Sequence, residues 1–249
     1  MATIGIFDSG SGGLSVYREL VKLLPQERFV YYSDNAHCPY GEKTALYIQR
    51  RARFITEFLL DKGADIIVVA CNTATAAAIA TLRAEYPNVP FVGMEPAVKP
   101  AALGTRSGVI GVLATAGTLK GSKYLNTRGL YEGDVKIAEH VGQGFVELVE
   151  NGILDGPEAE STVKASLQPL LDQGADRIVL GCTHYPFLKP VIERLSGPGV
   201  QVIDPAPAVA RQTQRILQDR GVQTGIGPFS IKLESSGDPE PLNRIFKLI

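Results

Sequence analysis

Two of the three cysteines in this 249-residue chain occupy matching places in a repeated segment. DKGADIIVVACNT (61–73) and DQGADRIVLGCTH (172–184) align at a constant offset of 111, which superimposes Cys71 on Cys182. One free cysteine commonly does no more than fill space, because cysteine is among the most buried residue types. A duplicated cysteine followed each time by hydrogen-bonding residues, Asn72-Thr73 and Thr183-His184, points to chemistry instead. Paired thiols suit inversion of a stereocentre: the α-proton leaves one face and a proton returns to the other, so a base and an acid must flank one carbon. A thiolate and a thiol exchange those roles between the two directions. Helix amino termini or nearby cations bring a thiol's ordinary pKa of about 8.5 toward neutrality.

The loop Asp8-Ser9-Gly10-Ser11-Gly12-Gly13 follows a strand-like run and opens a helix. Free N–H groups and the positive end of a helix dipole make such a loop an anion site, suited to a substrate carboxylate. Its glycine spacing fits neither the dinucleotide fingerprint nor a P-loop, and the glycines also permit a plain tight turn. Asp8 reads as a helix cap, a partner of Cys71 or a site for an ammonium group. His184 reads as a partner of Cys182 or as a cap. Cys38 has no counterpart in the repeat and is assigned to structure. A zinc site from Cys71, Cys182, His37 and His184 would lack any close ligand pair such as C-x-x-C or H-x-x-x-H, so no metal is expected.

Such residues need a scaffold that brings strand ends to a shared cleft. Short β-branched runs at 3–7, 29–32, 65–70 and 90–93 alternate with helical patterns, among them Leu14, Tyr17, Leu20, Val21 and Leu24, then Ile48, Ala52, Ile55 and Leu59. The order recurs with runs at 108–113, 135–138, 177–181 and 200–203. Alternating strand and helix signals imply right-handed βαβ units and parallel sheets. The expected fold is α/β: two similar doubly wound, mainly parallel-sheet lobes related by a pseudo-two-fold axis, with the active site between them. The expected bounds are 1–96 plus 207–249 for the first lobe and 97–206 for the second. The tail, with a helix at 206–219, a strand-like FSIKLES and a final helix through Phe246, is expected to return to the first lobe.

Composition narrows the function classes. A hydrophobic share of 45% and a charged share of 20% are those of a globular protein, and no apolar run approaches the roughly 20 residues that span a bilayer. The start MATIGIFDSG lacks the features of a signal peptide, so a cytoplasmic location is expected. Three scattered cysteines make no disulfide framework. A net charge of -1 gives no attraction for nucleic acid, and the basic cluster 49–53 reads as a solvated helix face.

Taken together, IGIFDSGSGGL, Pro39-Tyr40-Gly41, VVACNTA and LGCTHYP resemble bacterial glutamate racemases, and the likeness runs from residue 4 through 237. The resemblance implies that Asp8, Ser9, Tyr40, Gly41, Asn72, Thr73, Thr183 and His184 surround a glutamate, with Cys71 acting on the D-isomer and Cys182 on the L-isomer. It implies that Asp8 supports Cys71, that Glu150 and His184 support Cys182, and that Thr115 and Thr118 help bind a carboxylate. It also implies a homodimer, no pyridoxal phosphate or other cofactor, no metal, and a role in supplying D-glutamate for peptidoglycan. Without it, Glu150 would read as an ordinary exposed carboxylate at the end of the amphipathic pattern Phe145, Leu148 and Val149. One departure lies beside it: the family commonly has Cys-Pro ahead of Phe-Val-Pro-Leu-Val-Glu, whereas this chain reads GQGFVELVE at 142–150.

Three other readings use the same residues. A relative acting on aspartate differs by one methylene, worth only about 1 to 3 kcal/mol of discrimination, and the run Thr183-His184-Tyr185-Pro186 favours glutamate by resemblance. Cys182 with His184 would also suit a thiol hydrolase or amidotransferase that attacks a carbonyl. A two-lobed solute-binding protein would need neither the twin thiols nor this export-signal-free start.

Overall fold

The computed structural model describes residues 1–222 and 229–249; residues 223–228, part of the expected first lobe, lie outside the described residues. Five parallel strands form the first sheet: β1 (Thr3–Asp8), β2 (Arg28–Ser33), β3 (Ile66–Val69), β4 (Phe91–Gly93) and β9 (Ser230–Ser235), in the order β4-β3-β1-β2-β9. The second sheet holds β5 (Val109–Ala114), β6 (Lys136–Val141), β7 (Arg177–Gly181) and β8 (Gln201–Ile203), in the order β6-β5-β7-β8. Stripped of β9 and read from its opposite end, the first sheet has the same order as the second. The tail strand therefore extends one copy of a duplicated sheet, pairing β9 with β2 from Arg28 opposite Ser230 to Ser33 opposite Ser235.

Helices cover both faces, so the inner strands read as continuous apolar runs rather than alternating ones. β1 and β3 are buried along their whole length, as is β7. The edge strands β6 and β9 are half exposed and carry Lys136, Glu139, Lys232 and Glu234, charges that discourage further strand pairing. Those same charges interrupt the β-branched run, and β6 extends to Val141 where the sequence pattern ends at Ala138, because β5 pairs with it as far as Ala114.

The intervening helices are α1 (Leu14–Leu23), α2 (Ala45–Asp61), α3 (Asn72–Glu85), α4 (Val98–Gly104), α5 (Ala116–Leu119), α6 (Ser122–Gly129), α7 (Phe145–Glu150), α8 (Pro157–Leu171), α9 (Lys189–Ser196), α10 (Ala206–Asp219) and α11 (Glu240–Phe246). One apolar cluster runs through both sheets' helices, joining Leu14, Val16 and Leu20 of α1 to Phe145, Leu148 and Val149 of α7 and to Phe187 and Leu188 after β7. Shared burial of this kind fixes how the two halves face each other. Side-chain bonds reinforce it: Ser15 Oγ donates to the Thr183 carbonyl at 3.0 Å.

The basic cluster on α2 departs from a purely solvated face. Arg50 is exposed, but Arg51 folds inward and forks onto the fully buried Asp34, with Nε at 3.0 Å from Oδ2 and Nη2 at 2.7 Å from Oδ1. A buried carboxylate needs such a partner, and periodicity alone does not reveal one that arrives from another strand's loop.

Candidate active site

In open parallel sheets ligands settle beyond the carboxyl ends of the strands, at the point where strand order reverses. In both sheets that point lies between the first strand and the third, β1 and β3 in one, β5 and β7 in the other. Asp8 closes β1 and Cys71 follows β3, while Thr115 follows β5 and Cys182 follows β7. The duplicated topology therefore brings one thiol from each sheet to a common cavity. That cavity is narrow, leaving about 10 Å³ for the centre of a water-sized sphere. Ser9, Tyr40, Gly41, Cys71, Asn72, Thr73, Thr115, Cys182, Thr183 and His184 all line it, with Pro39 and Val146 completing the wall. Asp8, Thr118 and Glu150 stand one layer behind. A larger surface pocket beside Thr73, edged by Lys43 and Lys120, touches neither thiol.

Cys71 caps α3: its Sγ accepts from the Ala74 N–H at 3.4 Å and lies 3.7 Å from Ser9 Oγ. Burial, then the Asp8 carboxylate, push the Cys71 thiol up to about 12, against the pull of the Ala74 N–H. The first helical turn of α3 leaves N–H groups without intrahelical partners. The adjacent Asn72 is buried, and neither its amide oxygen nor its amide nitrogen has a hydrogen-bond partner. A buried amide of that kind demands a ligand. Thr73, Thr115 and Thr118 form a triangle of hydroxyls, with Thr73 to Thr115 and Thr115 to Thr118 both 2.9 Å and Thr73 to Thr118 3.3 Å.

On the other wall, Cys182 Sγ lies 3.7 Å from His184 Nδ1, and His184 Nε2 lies 2.7 Å from Glu150 Oε1. Glu150 also accepts from the Ser11 N–H at 2.7 Å and from Ser11 Oγ at 2.8 Å. Burial works against charge on His184, but its bonds to Cys182 and Glu150 override this and hold the imidazole well above its ordinary range. Glu150 is held below the usual carboxylate range: burial raises it, and the bonds from His184 and Ser11 outweigh that. The departure at 142–144 preserves this arrangement. Gly144 enters α7 with φ +77, a left-handed conformation suited to glycine, and a Cβ on Gly142 would come within 2.6 Å of the Tyr185 ring. The turn thus aims the last residue of α7, Glu150, at His184.

The glycine-rich loop binds an anion, but the anion is the protein's own. Its Ser11 N–H is taken by Glu150, and its Gly10 N–H by Asp8 Oδ2 at 2.9 Å. A substrate carboxylate therefore has no claim on those two groups. Its glycines are required by close approach: a Cβ on Gly10 would meet the Glu150 carboxylate, and one on Gly12 would meet the His184 ring.

Two implied contacts also differ. Asp8 makes its hydrogen bonds to Gly10 and to Thr183 Oγ1, at 3.0 Å, so it reaches Cys71 only through its field. Burial raises the Asp8 carboxyl despite the nearby His184. Tyr40 spends its hydroxyl on Asp34, leaving its ring and the Gly41 backbone to face the cavity. Cys38 is the residue that sequence reasoning set aside and the fold does not: its sulfur, a Glu150 oxygen and a His184 ring nitrogen lie within 4.8 Å of one another. His37, weighed with the zinc ligands, instead hydrogen-bonds Tyr47 at 2.5 Å.

Residues 4–213 match the Asp/Glu/hydantoin racemase family. The chain is 48% identical to the glutamate racemase of Ectopseudomonas mendocina (strain ymp) over 248 residues, covering 100% of this chain and 94% of that protein. Among solved structures, Escherichia coli glutamate racemase in complex with L-glutamate and an activator superimposes with a TM-score of 0.87 at 32% identity, covering 99% of this chain and 94% of that one. Francisella tularensis glutamate racemase in complex with D-glutamate gives 0.86 at 26% identity, covering 99% and 92%. With the family matched over most of its length and a relative of this identity spanning it whole, the chain belongs to the Asp/Glu/hydantoin racemase family.

Proposed function

We propose that this protein interconverts L- and D-glutamate, with Cys71 and Cys182 as the two proton-transfer groups. The observation that carries the reading is one cavity lined by two thiols, each delivered by a different sheet of a duplicated fold. Glutamate is the substrate named for both superimposed structures and for the Ectopseudomonas mendocina relative.

From L-glutamate, Cys182 removes the α-proton and Cys71 donates its proton to the opposite face; from D-glutamate the roles reverse. Cys71 suits the donor role as it stands, because burial and the Asp8 charge keep it a thiol. His184, 3.7 Å from Cys182, is placed to hold the proton that Cys182 releases, and Glu150 stabilises the imidazolium so formed. The unpaired Asn72 amide and the free N–H groups beginning α3 suit one substrate carboxylate; the threonine triangle suits the other. Asp8 and Ser9 complete the surroundings of the ammonium group. Two thiols supply both proton transfers, so the step calls on no cofactor.

The wider reading is a cytoplasmic enzyme that supplies D-glutamate for peptidoglycan and acts as a homodimer. Each subunit divides into lobes at 1–96 plus 207–249 and 97–206. Among the described residues no helix is long and apolar enough to cross a membrane.

Circular dichroism of L- and D-glutamate, with aspartate as a control, tests the substrate. Deuterium wash-in at the α-carbon tests the mechanism. Cys71→Ser and Cys182→Ser should each lose racemisation, roughly a hundredfold or more for an acid/base group, and each should retain exchange from one enantiomer only. Unchanged racemisation in both variants would refute the two-thiol scheme.

A further inference from the structure

The cluster of Cys38, Glu150 and His184 stands beside the cavity, and its cysteine has no part in the proton transfers above. Three separate pieces of chain deliver it: the turn ahead of Tyr40, the end of α7 and the turn after β7. We propose that these three side chains form a site for a thiophilic divalent cation, zinc foremost, and that occupying it shuts off proton transfer at Cys182.

The donor set is thiolate, carboxylate and imidazole, the combination that borderline-soft ions prefer. Tetrahedral zinc, with bonds of 2.0 to 2.3 Å, holds its ligand atoms about 3.3 to 3.7 Å apart. The atoms here already lie within 4.8 Å of one another. His184 Nε2 and Glu150 Oε1, now at 2.7 Å, would separate by about 1 Å, a movement within the reach of side-chain torsions. Charge also balances, since a thiolate, a carboxylate and a neutral imidazole together neutralise a dication. The surroundings are already negative: burial, then Glu150 and Asp8, push the Cys38 thiol up, and a cation would reverse that effect. A surface pocket lined by Cys38, Pro39, Glu147, Glu150 and Asp238 gives a hydrated ion a path inward and a water a place as fourth ligand.

Binding releases one proton to solvent, from the Cys38 thiol, while the proton that His184 Nε2 shares with Glu150 moves to Nδ1. With the metal on Nε2, the neutral imidazole carries its remaining proton on Nδ1, the atom that faces Cys182. Nothing is then left to accept the Cys182 proton. The binding site rests on the cluster alone; its inhibitory consequence rests on the racemase reading.

The test uses the full chain, freed of metal by a chelator and titrated with Zn²⁺ by calorimetry, then with Co²⁺ while the thiolate-to-cobalt charge-transfer absorption is followed. Wild type should take up one equivalent at micromolar concentration and show that absorption, and its racemisation should fall at least tenfold and return with EDTA. Cys38→Ala should keep its basal racemisation, lose the absorption and need at least ten times more zinc for the same inhibition. Cys71→Ser should keep the absorption. Identical metal binding by Cys38→Ala and wild type, or no uptake by wild type, would overturn the site. An inactive protein that still binds cobalt through Cys38 would leave the site standing and overturn the functional reading instead.

Discussion

Glu150 is the residue on which the Cys182 wall depends, because it joins His184 to the loop after β1 through three hydrogen bonds at 2.7 to 2.8 Å. Its folded-state pKa lies below the ordinary value of 4.5, so its contribution to stability is present above 4.5 and fades as pH falls through the lowered value. The His184 pKa lies well above 6.5, so its contribution is present below 6.5 and fades as pH rises through the raised value. The pair contributes most between those two ordinary values. Glu150→Gln is therefore expected to lower Tm most near pH 5.5 and to flatten its pH dependence. It should also cut kcat from L-glutamate roughly tenfold or more, since an acid/base partner of this kind is worth a hundredfold upward when removed outright. Equal Tm loss at pH 5.5 and pH 9, with kcat unchanged, would contradict this. Cys71 offers a second test at the same scale. Its thiol is pushed up to about 12, and only a thiolate is alkylated. Iodoacetamide labelling of Cys71 in the free protein should climb about tenfold per pH unit through the alkaline range, and D-glutamate should protect it. A plateau near pH 9 would show the thiol to be ionising far earlier.

Between residue and molecule, the turns decide where side chains meet. Gly12 has no room for a methyl group because the His184 ring lies against it. Gly12→Ala is expected to cost about 1 to 3 kcal/mol of stability, as overpacked sites do, and to lower racemisation in both directions by displacing His184 from Cys182; Tm and circular dichroism read the two effects. A gain in Tm with full activity would show that the ring can yield. The strands and the long helices were legible because their apolar periods are strong, and the twin cysteines because the repeat repeats its chemistry. Glu150 was not: its helix period says surface, and what buries it is a loop 139 residues away in sequence. Gly10, where a Cβ would meet the Glu150 carboxylate, was the trace of that contact, and glycine records a close approach without naming the partner. Ser11 belongs to the same glycine-rich loop, visible as a residue but not as the hydrogen-bond donor to Glu150. Asp34 and Arg51, which hold Tyr40 in place, were hidden because an ion pair across elements leaves no period.

Across the whole molecule, the cavity is closed by contacts between the two sheets' loops. Thr73 meets Thr115 at 2.9 Å, Thr183 meets Asp8 at 3.0 Å, and Glu150 meets Ser11. A space that leaves only about 10 Å³ for the centre of a water-sized sphere cannot take in or release glutamate unless those loops part, a motion of the kind that often limits turnover. Gly41 and Thr115 mark a point where the parting can be blocked. A Cβ built on Gly41 lies 3.3 Å from the Thr115 Cβ, close to the separation of about 3.5 to 4.5 Å that a disulfide spans. The double variant Gly41→Cys with Thr115→Cys should therefore oxidise readily and lock the loops together. Both positions line the cavity, so the informative comparison is between the oxidised and reduced forms of the same protein, not with wild type. Oxidation should lower racemisation at least tenfold, leave the fold intact by far-UV circular dichroism, and be reversed by dithiothreitol. Equal rates in both forms, with the bond confirmed by mass spectrometry, would mean that substrate enters without separating these two walls.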